Sequence, residues 1–398
     1  MAASHHTYCM VVHAHYPIGE PRVEREAEAL VEQGYDVEVI CLRHPTEPAL
    51  EIVGGVRIYR LPVHRHKGWG PLRQFLEYLA FFFLAFLRLS RFSGRYSVVH
   101  VHNLPDFLVF AALVPRLRGA RIVLDIHDLM PEFYLSRFGH RGGRWVIFLL
   151  RLQEKLACRF AHHVITVTEP WRQTLIRRSV PAHKCSVLMN VPGDRFRRGA
   201  ARLPKKRAPY SFHLVYHGTL AYRYGIDLAI QAVAQIRQQI PGLHLTIHGR
   251  GEYLGDLQRL VKELDLTDHI SFSTHYIPMD DLPAFLVMAD VGIVPYRRDT
   301  FTDGILPTKL MEYVALGIPV IASRTAAITA YFDESMLEFF PPGDVSALAQ
   351  SILRLYRDPA RRAMLVKNAD RFNRLHTWEH QSTRLIELAN HLTNTRRH

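Results

Sequence analysis

The run Asp303-Gly304-Ile305-Leu306-Pro307-Thr308-Lys309-Leu310-Met311-Glu312-Tyr313 brings together residue types that can hold an anion and a diol at one helix end. A glycine-containing loop entering a helix leaves the first backbone N–H groups unbonded, and these attract a group such as a diphosphate. Lys309, in the first turn, adds positive charge. Glu312, about a turn deeper, would repel phosphate, so its natural partner is a pair of sugar hydroxyls. One helix end thus offers contacts for the ribose and the diphosphate of a nucleotide. Pro307 suits the first helical position, and Gly317 followed by Pro319 suits a stop, which predicts a helix over 307–316. The apolar runs at 290–295 and 318–323 predict a buried parallel strand on each side.

Other strand ends carry polar groups of the same kind. Tyr216-His217-Gly218-Thr219-Leu220 closes one predicted strand, and Arg223-Tyr224-Gly225 leads into the next helix. Gly249-Arg250-Gly251 closes the following strand. With Gly255 it spells G-x-G-x-x-x-G, one residue longer than a dinucleotide fingerprint and not on the first strand of its series. In the first half, His13 and His15 close the first strand and Gly19 lies in the loop after it. His102-Asn103 closes another strand, and Asp125-Ile126-His127-Asp128 closes the next. A single buried histidine is usually a satisfied core residue. Three histidine-bearing strand ends on one edge point to a site. No carboxylate pair suited to glycoside hydrolysis and no D-x-D stands out, so no metal or cofactor is predicted.

Positioning these residues requires a scaffold of alternating strands and helices. Strands are predicted at Tyr8–Ala14, Tyr35–Leu42, Val56–Leu61, Ser97–His102, Arg121–His127 and His163–Val167. A second series starts at Phe212–His217 and continues with Leu243–His248, Ile270–Ser273 and Val291–Val294. Helical patterns separate most of them. Alternation of this kind implies parallel sheets, and two series imply an α/β chain of two doubly wound, Rossmann-like domains. The predicted domains are 1–190 and 210–376, joined by a Pro- and Arg-rich linker at 191–209, with a last helix in 377–398. Ligands of such sheets bind beyond the carboxyl ends of the strands, so two domains facing across a cleft would put the polar strand ends on its two sides.

Composition narrows the class. The 398 residues carry a net charge of +13. Residues 1–210 hold 31 Lys and Arg against 17 Asp and Glu, an excess of +14, whereas the remainder holds 19 against 20. The first half is therefore expected to meet something acidic. Basic stretches interleaved with aromatics are absent, so nucleic acid is not predicted as a partner. Four scattered cysteines show no metal or disulfide spacing. With no signal peptide pattern and no apolar run of membrane-spanning length, the chain is expected to be cytoplasmic. The segment 75–87 is apolar nearly all round and flanked by Arg65, Lys67, Arg73, Arg88, Arg91 and Arg95. It is either a core helix or an interfacial one that docks peripherally on an anionic membrane, on the inner face.

The P-x-K-x-x-E-Y-x-A-x-G-x-P-V-I-A-S run at 307–323 resembles one branch of glycosyltransferase family four, whose members are retaining enzymes of the GT-B fold. Further similarity covers Arg22–Leu30, Ser97–His102, Leu124–Glu132, Ile165–Asn190, Val215–Ile226 and Trp378–Leu388. The resemblance implies transfer of a sugar from a nucleotide-sugar donor to an acceptor hydroxyl, with retention, in the synthesis of a polysaccharide, glycolipid or glycoconjugate. On the donor side it implies roles for Gly218, Thr219, Gly249, Gly251, Asp303, Gly304, Ile305, Leu306 and Glu312. Gly304 stands where the commoner branch has its first glutamate, so that sugar contact is missing or passes to Asp303. Thr219 and Tyr224 replace the usual Arg and Lys, leaving Arg223 and Lys309 as cations for the leaving diphosphate. His15, Gly19, His127 and Asp128 fall on the acceptor side, and membrane docking by the first domain would suit a lipid-linked acceptor. His102 matches a histidine that bonds the reacting sugar or its acceptor. The alternatives are a nucleotide-sugar epimerase or hydrolase of the same fold and a binding protein without catalysis.

Overall fold

The computed structural model describes residues 6–63, 71–139, 143–193, 196–197 and 212–394. The chain divides into two compact units, one made of Met1–Asn190 with Glu379–His398 and the other of Val191–Trp378. Most of the predicted linker 191–209 lies outside the described residues, as do Arg65 and Lys67. Of its described part, Val191 and Phe196 are buried, and Arg197 donates to the Asn373 carbonyl of the second unit.

The first unit is built on strands β1 (Thr7–His15), β2 (Asp36–Leu42), β3 (Leu50–Val53), β4 (Val56–Leu61), β5 (Tyr96–His102), β6 (Arg121–Ile126), β7 (His163–Thr166) and β8 (Cys185–Val187). They form one sheet in the order β3-β4-β2-β1-β5-β6-β7-β8, parallel except for the β3–β4 edge pair. Helices cover both faces of a parallel sheet, so its central strands are apolar on both sides. Val98, Val99, Ile122, Val123 and Leu124 show this, each without exposed surface. The strand order reverses between β1 and β5, which is where such sheets leave a crevice at their carboxyl ends. The last helix, Trp378–Asn394, belongs to this unit. Leu385, Ala389 and Leu392 join the core of Tyr8, Val37 and Val98, and Gln381 accepts a hydrogen bond from the Met189 N–H at 2.9 Å.

The helix Pro71–Arg91 is not apolar towards one environment all round. Phe81, Ala85 and Leu89 are buried, while Leu76, Phe83 and Leu87, on the opposite arc, are exposed. Its one acid, Glu77, is turned inward to His13 at 3.3 Å. The core reading of this segment therefore describes one face only.

The second unit contains β9 (Phe212–His217), β10 (Leu243–His248), β11 (Ile270–Ser273), β12 (Val291–Val294), β13 (Val320–Ser323) and β14 (Glu338–Phe340). All are parallel, in the order β11-β10-β9-β12-β13-β14, with the reversal between β9 and β12. The predicted helix 307–316 runs from Thr308 to Ala315, with Pro307 just ahead of it at φ −66°. Strands β3, β8 and β14 have no counterpart in the sequence reading: each is a sheet edge of three or four residues that carries no continuous apolar run.

Candidate active site

In the second unit the site forms where β9 and the helix Thr308–Ala315 meet. The helix is entered from the loop after β12, β9's neighbour across the reversal, so its first turn arrives beside the end of β9. Gly218 there has φ +112°, and a Cβ on it would come within 3.2 Å of the Lys309 Nζ, so the glycine leaves room for the lysine. Lys309 is buried, 6% exposed, in a cage of three tyrosines. Its Nζ bonds the hydroxyls of Tyr296 (3.0 Å) and Tyr216 (3.3 Å) and lies 5.2 Å from the centre of the Tyr224 ring. Burial pushes its pKa down to about 7, and the nearby Glu312 only partly opposes this. A buried ammonium with no hydrogen-bonded carboxylate among the described residues is suited to an anionic ligand.

Glu312 and Tyr313 tie the helix to β9 through His217. The Nε2 of His217 is 2.6 Å from Glu312 Oε2 and its Nδ1 is 2.9 Å from the Tyr313 hydroxyl. The carboxylate predicted to meet a sugar diol is thus held by a histidine at one oxygen. Sequence reading named His217 only as part of a strand end, because this pairing joins residues 95 apart.

The other donor-side residues sort by structure. Thr219 is exposed, with its carbonyl accepting from the Tyr216 hydroxyl at 2.8 Å. Arg223 is half-buried, its guanidinium 5.7 Å from the centre of the Phe301 ring in the loop after β12. Gly249 and Gly251 are constrained by the protein itself: a Cβ on either would sit about 2 Å from the backbone oxygen of Gly218 or Leu220. These glycines let two strand-end loops pack. Asp303 is also engaged. Its Oδ1 accepts from the Ala326 N–H at 2.8 Å and pairs with Arg298 at 3.0 Å, so a sugar contact there would compete with both. Gly304 and Ile305 are half-buried, and Leu306 is buried.

In the first unit the focus is Asp125, which sequence reading saw only as part of a strand end. Parallel pairing of β5 with β6 sets His102 opposite Asp125. Asp125 has no exposed surface and takes Arg22 (2.9 Å), His127 (3.2 Å) and His102 (3.4 Å) on one oxygen. Burial raises a carboxyl pKa, but the charges of Arg22 and His127 overcome that and hold Asp125 well below the usual range. For His127 burial is outweighed by Asp125, and its pKa is raised. For His102 burial wins, and its pKa falls to about 4.

The structure corrects the assignment of His102 to the reacting sugar. Its ring is fully buried, stacked on His100 at 4.2 Å, with Nδ1 3.2 Å from His127 Nε2. His127, with a fifth of its side chain exposed (21%), is the ring that can meet a ligand. Asn103 fixes the loop beyond it, accepting from the His127 N–H at 2.8 Å and donating to the Asp128 carbonyl at 2.7 Å. His15 is half-buried beside His44, and Gly19 is exposed in the loop before the helix Pro21–Glu32. Glu26, His100, His102 and Asp125 place ligand atoms within 4.8 Å of one another, a grouping that can suit a metal ion. The Arg22 guanidinium already pairs with both carboxylates, Glu26 at 2.9 Å and Asp125 at 2.9 Å, and supplies the balancing charge.

Comparison with known proteins agrees with both halves. Residues 19–190 match the glycosyl transferase 4-like domain and residues 204–372 match glycosyl transferases group 1. The chain is 34% identical to a GDP-mannose-dependent alpha-(1-6)-phosphatidylinositol monomannoside mannosyltransferase of Mycolicibacterium smegmatis, over 76% of this chain and 78% of the relative. It is 24% identical to a chitobiosyldiphosphodolichol beta-mannosyltransferase of Candida albicans, over 77% and 71%. Among solved structures, sucrose-phosphate synthase from Thermosynechococcus elongatus superposes with a TM-score of 0.79 at 21% identity, over 98% of this chain and 100% of that one. Anabaena Alr3699/HepE in complex with UDP and glucose gives 0.72 at 15%, over 97% and 100%. With both units matched and the strand ends built as described, this chain belongs to the group 1 glycosyltransferases, with a GT-B fold and a 4-like first domain.

Proposed function

We propose that the protein is a hexosyltransferase that takes a sugar from a nucleoside-diphosphate donor and passes it to a hydroxyl of a lipid-linked acceptor, with retention at the anomeric carbon. The observation that carries the donor half is Lys309, an ammonium buried among tyrosine hydroxyls at the first turn of a helix. A bound diphosphate supplies the missing negative charge. As the glycosidic bond breaks, charge grows on the leaving diphosphate, and the fixed ammonium and the N–H groups of the first turn stabilise it without reorganising. Arg223 adds a second cation, and Glu312 takes the donor's ribose hydroxyls. The leaving phosphate accepts the acceptor's proton, so no protein base and no metal is assigned to that step. His127, held by Asp125, bonds a hydroxyl of the reacting sugar or of the acceptor.

Two relatives are named for lipid-linked substrates, and one for GDP-mannose, which makes that donor the first to try. Their names include an alpha and a beta linkage, so the anomeric outcome here is a separate measurement. The test is a binding screen of nucleoside diphosphates, followed by turnover of the matching labelled nucleotide sugars with lipid-linked acceptors. Binding of one diphosphate and acceptor-dependent transfer is the expected result. Donor consumed at full rate without acceptor would instead mark a hydrolase or epimerase, and binding without turnover on any acceptor a protein that has lost catalysis.

A further inference from the structure

The helix Gly143–Phe160 presents its larger side chains the wrong way round for a soluble surface. Its inner arc, with Glu154, Ala157 and Cys158, is buried, yet Trp145 is 63% exposed and Phe148 65%. Leu149, Leu152 and Leu156 continue the exposed line. Spacings of three, four, seven and eleven residues from Trp145 put all five on one arc. Arg144, Arg151 and Lys155 run along one flank of that arc and are exposed. The helix has a single acid, Glu154, and it is turned inward to Arg178 at 2.8 Å. An apolar ridge bordered by cations, with no carboxylate on the outer face, is the pattern of a helix that lies in a membrane interface.

The neighbours extend the pattern. The Pro71–Arg91 helix packs its Phe75 and Phe82 on Phe107, and Phe160 packs on Phe110, so both long helices flank the segment Asp106–Ala112. The short helix Leu113–Leu117 follows, with Leu117 the most exposed of the large apolar residues and Arg116 and Arg118 exposed beside it. Among the described residues of these three helices the only acids are Glu77 and Glu154, both turned inward. None of the described helices is long and apolar enough to cross a membrane.

We infer that this face, centred on the outer arc of Gly143–Phe160, docks on an anionic lipid bilayer. Apolar side chains enter the headgroup boundary and the flanking cations meet lipid phosphates. Charge selects this occupant over a second copy of the chain, because two such faces would set like-charged rows together with no carboxylate to pair them. The first half's excess of +14 has the sign the surface requires. The inference uses no residue of either strand-end cluster and stands apart from the donor reading.

The test is co-sedimentation of the full chain with phosphatidylcholine vesicles, with and without phosphatidylglycerol, at low and high salt, alongside Phe148→Asp and the double variant Arg151→Glu, Lys155→Glu. Both variants change exposed positions, and their folding is checked by circular dichroism and melting. Binding to anionic vesicles at low salt is expected, weakened by salt and lost in Phe148→Asp. The charge-reversed variant should partition at least about 25-fold less, since each cation lost near anionic lipid costs about fivefold and the two carboxylates introduced add repulsion. In a variant that keeps Trp145 and carries Trp69→Phe, Trp171→Phe and Trp378→Phe, the Trp145 emission should shift to the blue on vesicle binding. No preference for anionic vesicles, binding unchanged in Phe148→Asp, or a dimer that Phe148→Asp dissolves while vesicles are ignored would each overturn the inference.

Discussion

The Nζ of Lys309 lies 3.0 Å from the hydroxyl of Tyr296, and among the described residues none of its hydrogen bonds goes to a carboxylate. A neutral partner cannot balance the ammonium, which is why burial takes the pKa down to about 7. Above that value the free protein holds Lys309 largely neutral, whereas a bound diphosphate favours the charged form. Binding of a nucleoside diphosphate near pH 8 should therefore take up as much as about one proton. Calorimetry in buffers of differing ionisation enthalpy measures it, and uptake that persists in Lys309→Met would detach it from this residue.

The same geometry bears on rate. Lys309→Ala removes a contact to charge that grows as the bond breaks, and should lower turnover by about 10²-fold or more, or roughly 3 kcal/mol of barrier. Among the described residues Lys309 makes no ion pair, so the variant should fold. Wild-type turnover in a folded variant would take the lysine out of the chemistry.

Glu312 is expected to act on binding. Glu312→Gln loses a charged acceptor for a ribose hydroxyl, worth about 1.5–3 kcal/mol, and donor affinity should fall by about tenfold or more. Because the same carboxylate pairs with His217 at 2.6 Å, a His217→Asn control separates loss of the ligand contact from loosening of the helix. Equal affinity in wild type and Glu312→Gln would leave the diol without its partner.

The product should keep the anomeric configuration of the donor. Asp125 raises the pKa of His127, which works against its serving as a base. The coupling constant of the anomeric proton in the first-formed product decides this. Inversion would require a base, and His127 is the exposed ring of the cluster.

Asp125 carries a stability prediction. Asp125→Asn leaves Arg22 with Glu26 as its remaining carboxylate at 2.9 Å, so the variant should be destabilised by less than the about 3–5 kcal/mol of breaking an isolated buried pair. The pH signs of the pair are opposite. The folded pKa of Asp125 is depressed, so its contribution is present above about pH 4 and fades as pH falls through the folded value. The folded pKa of His127 is raised, so its contribution is present below about pH 6.5 and is lost as pH rises through the folded value. Urea midpoints of wild type, Asp125→Asn and His127→Gln across pH would show these slopes; identical profiles in all three would mean the network adds nothing to stability.

The sequence by itself determined the fold class and the place of the helix Thr308–Ala315. Alternating apolar strand runs and helical patterns are local signals, and Pro307, Gly317 and Pro319 mark a helix wherever the rest of the chain lies. It also singled out Lys309 and Glu312, since the spacing between them is set within one helix. Their company was beyond it. Tyr216, Tyr296 and Tyr224 surround Lys309 from three separate segments, and His217 reaches Glu312 across 95 positions. The choice between His102 and His127 depended on burial and on the β5–β6 register, which sets His102 beside Asp125 inside the sheet and leaves His127 at its end. The helix Gly143–Phe160 shows the same division. Its residues are apolar on two arcs, and periodicity cannot say which one the core covers. Tertiary packing decided that, because burial depends on which other segments arrive, and those come from distant parts of the chain.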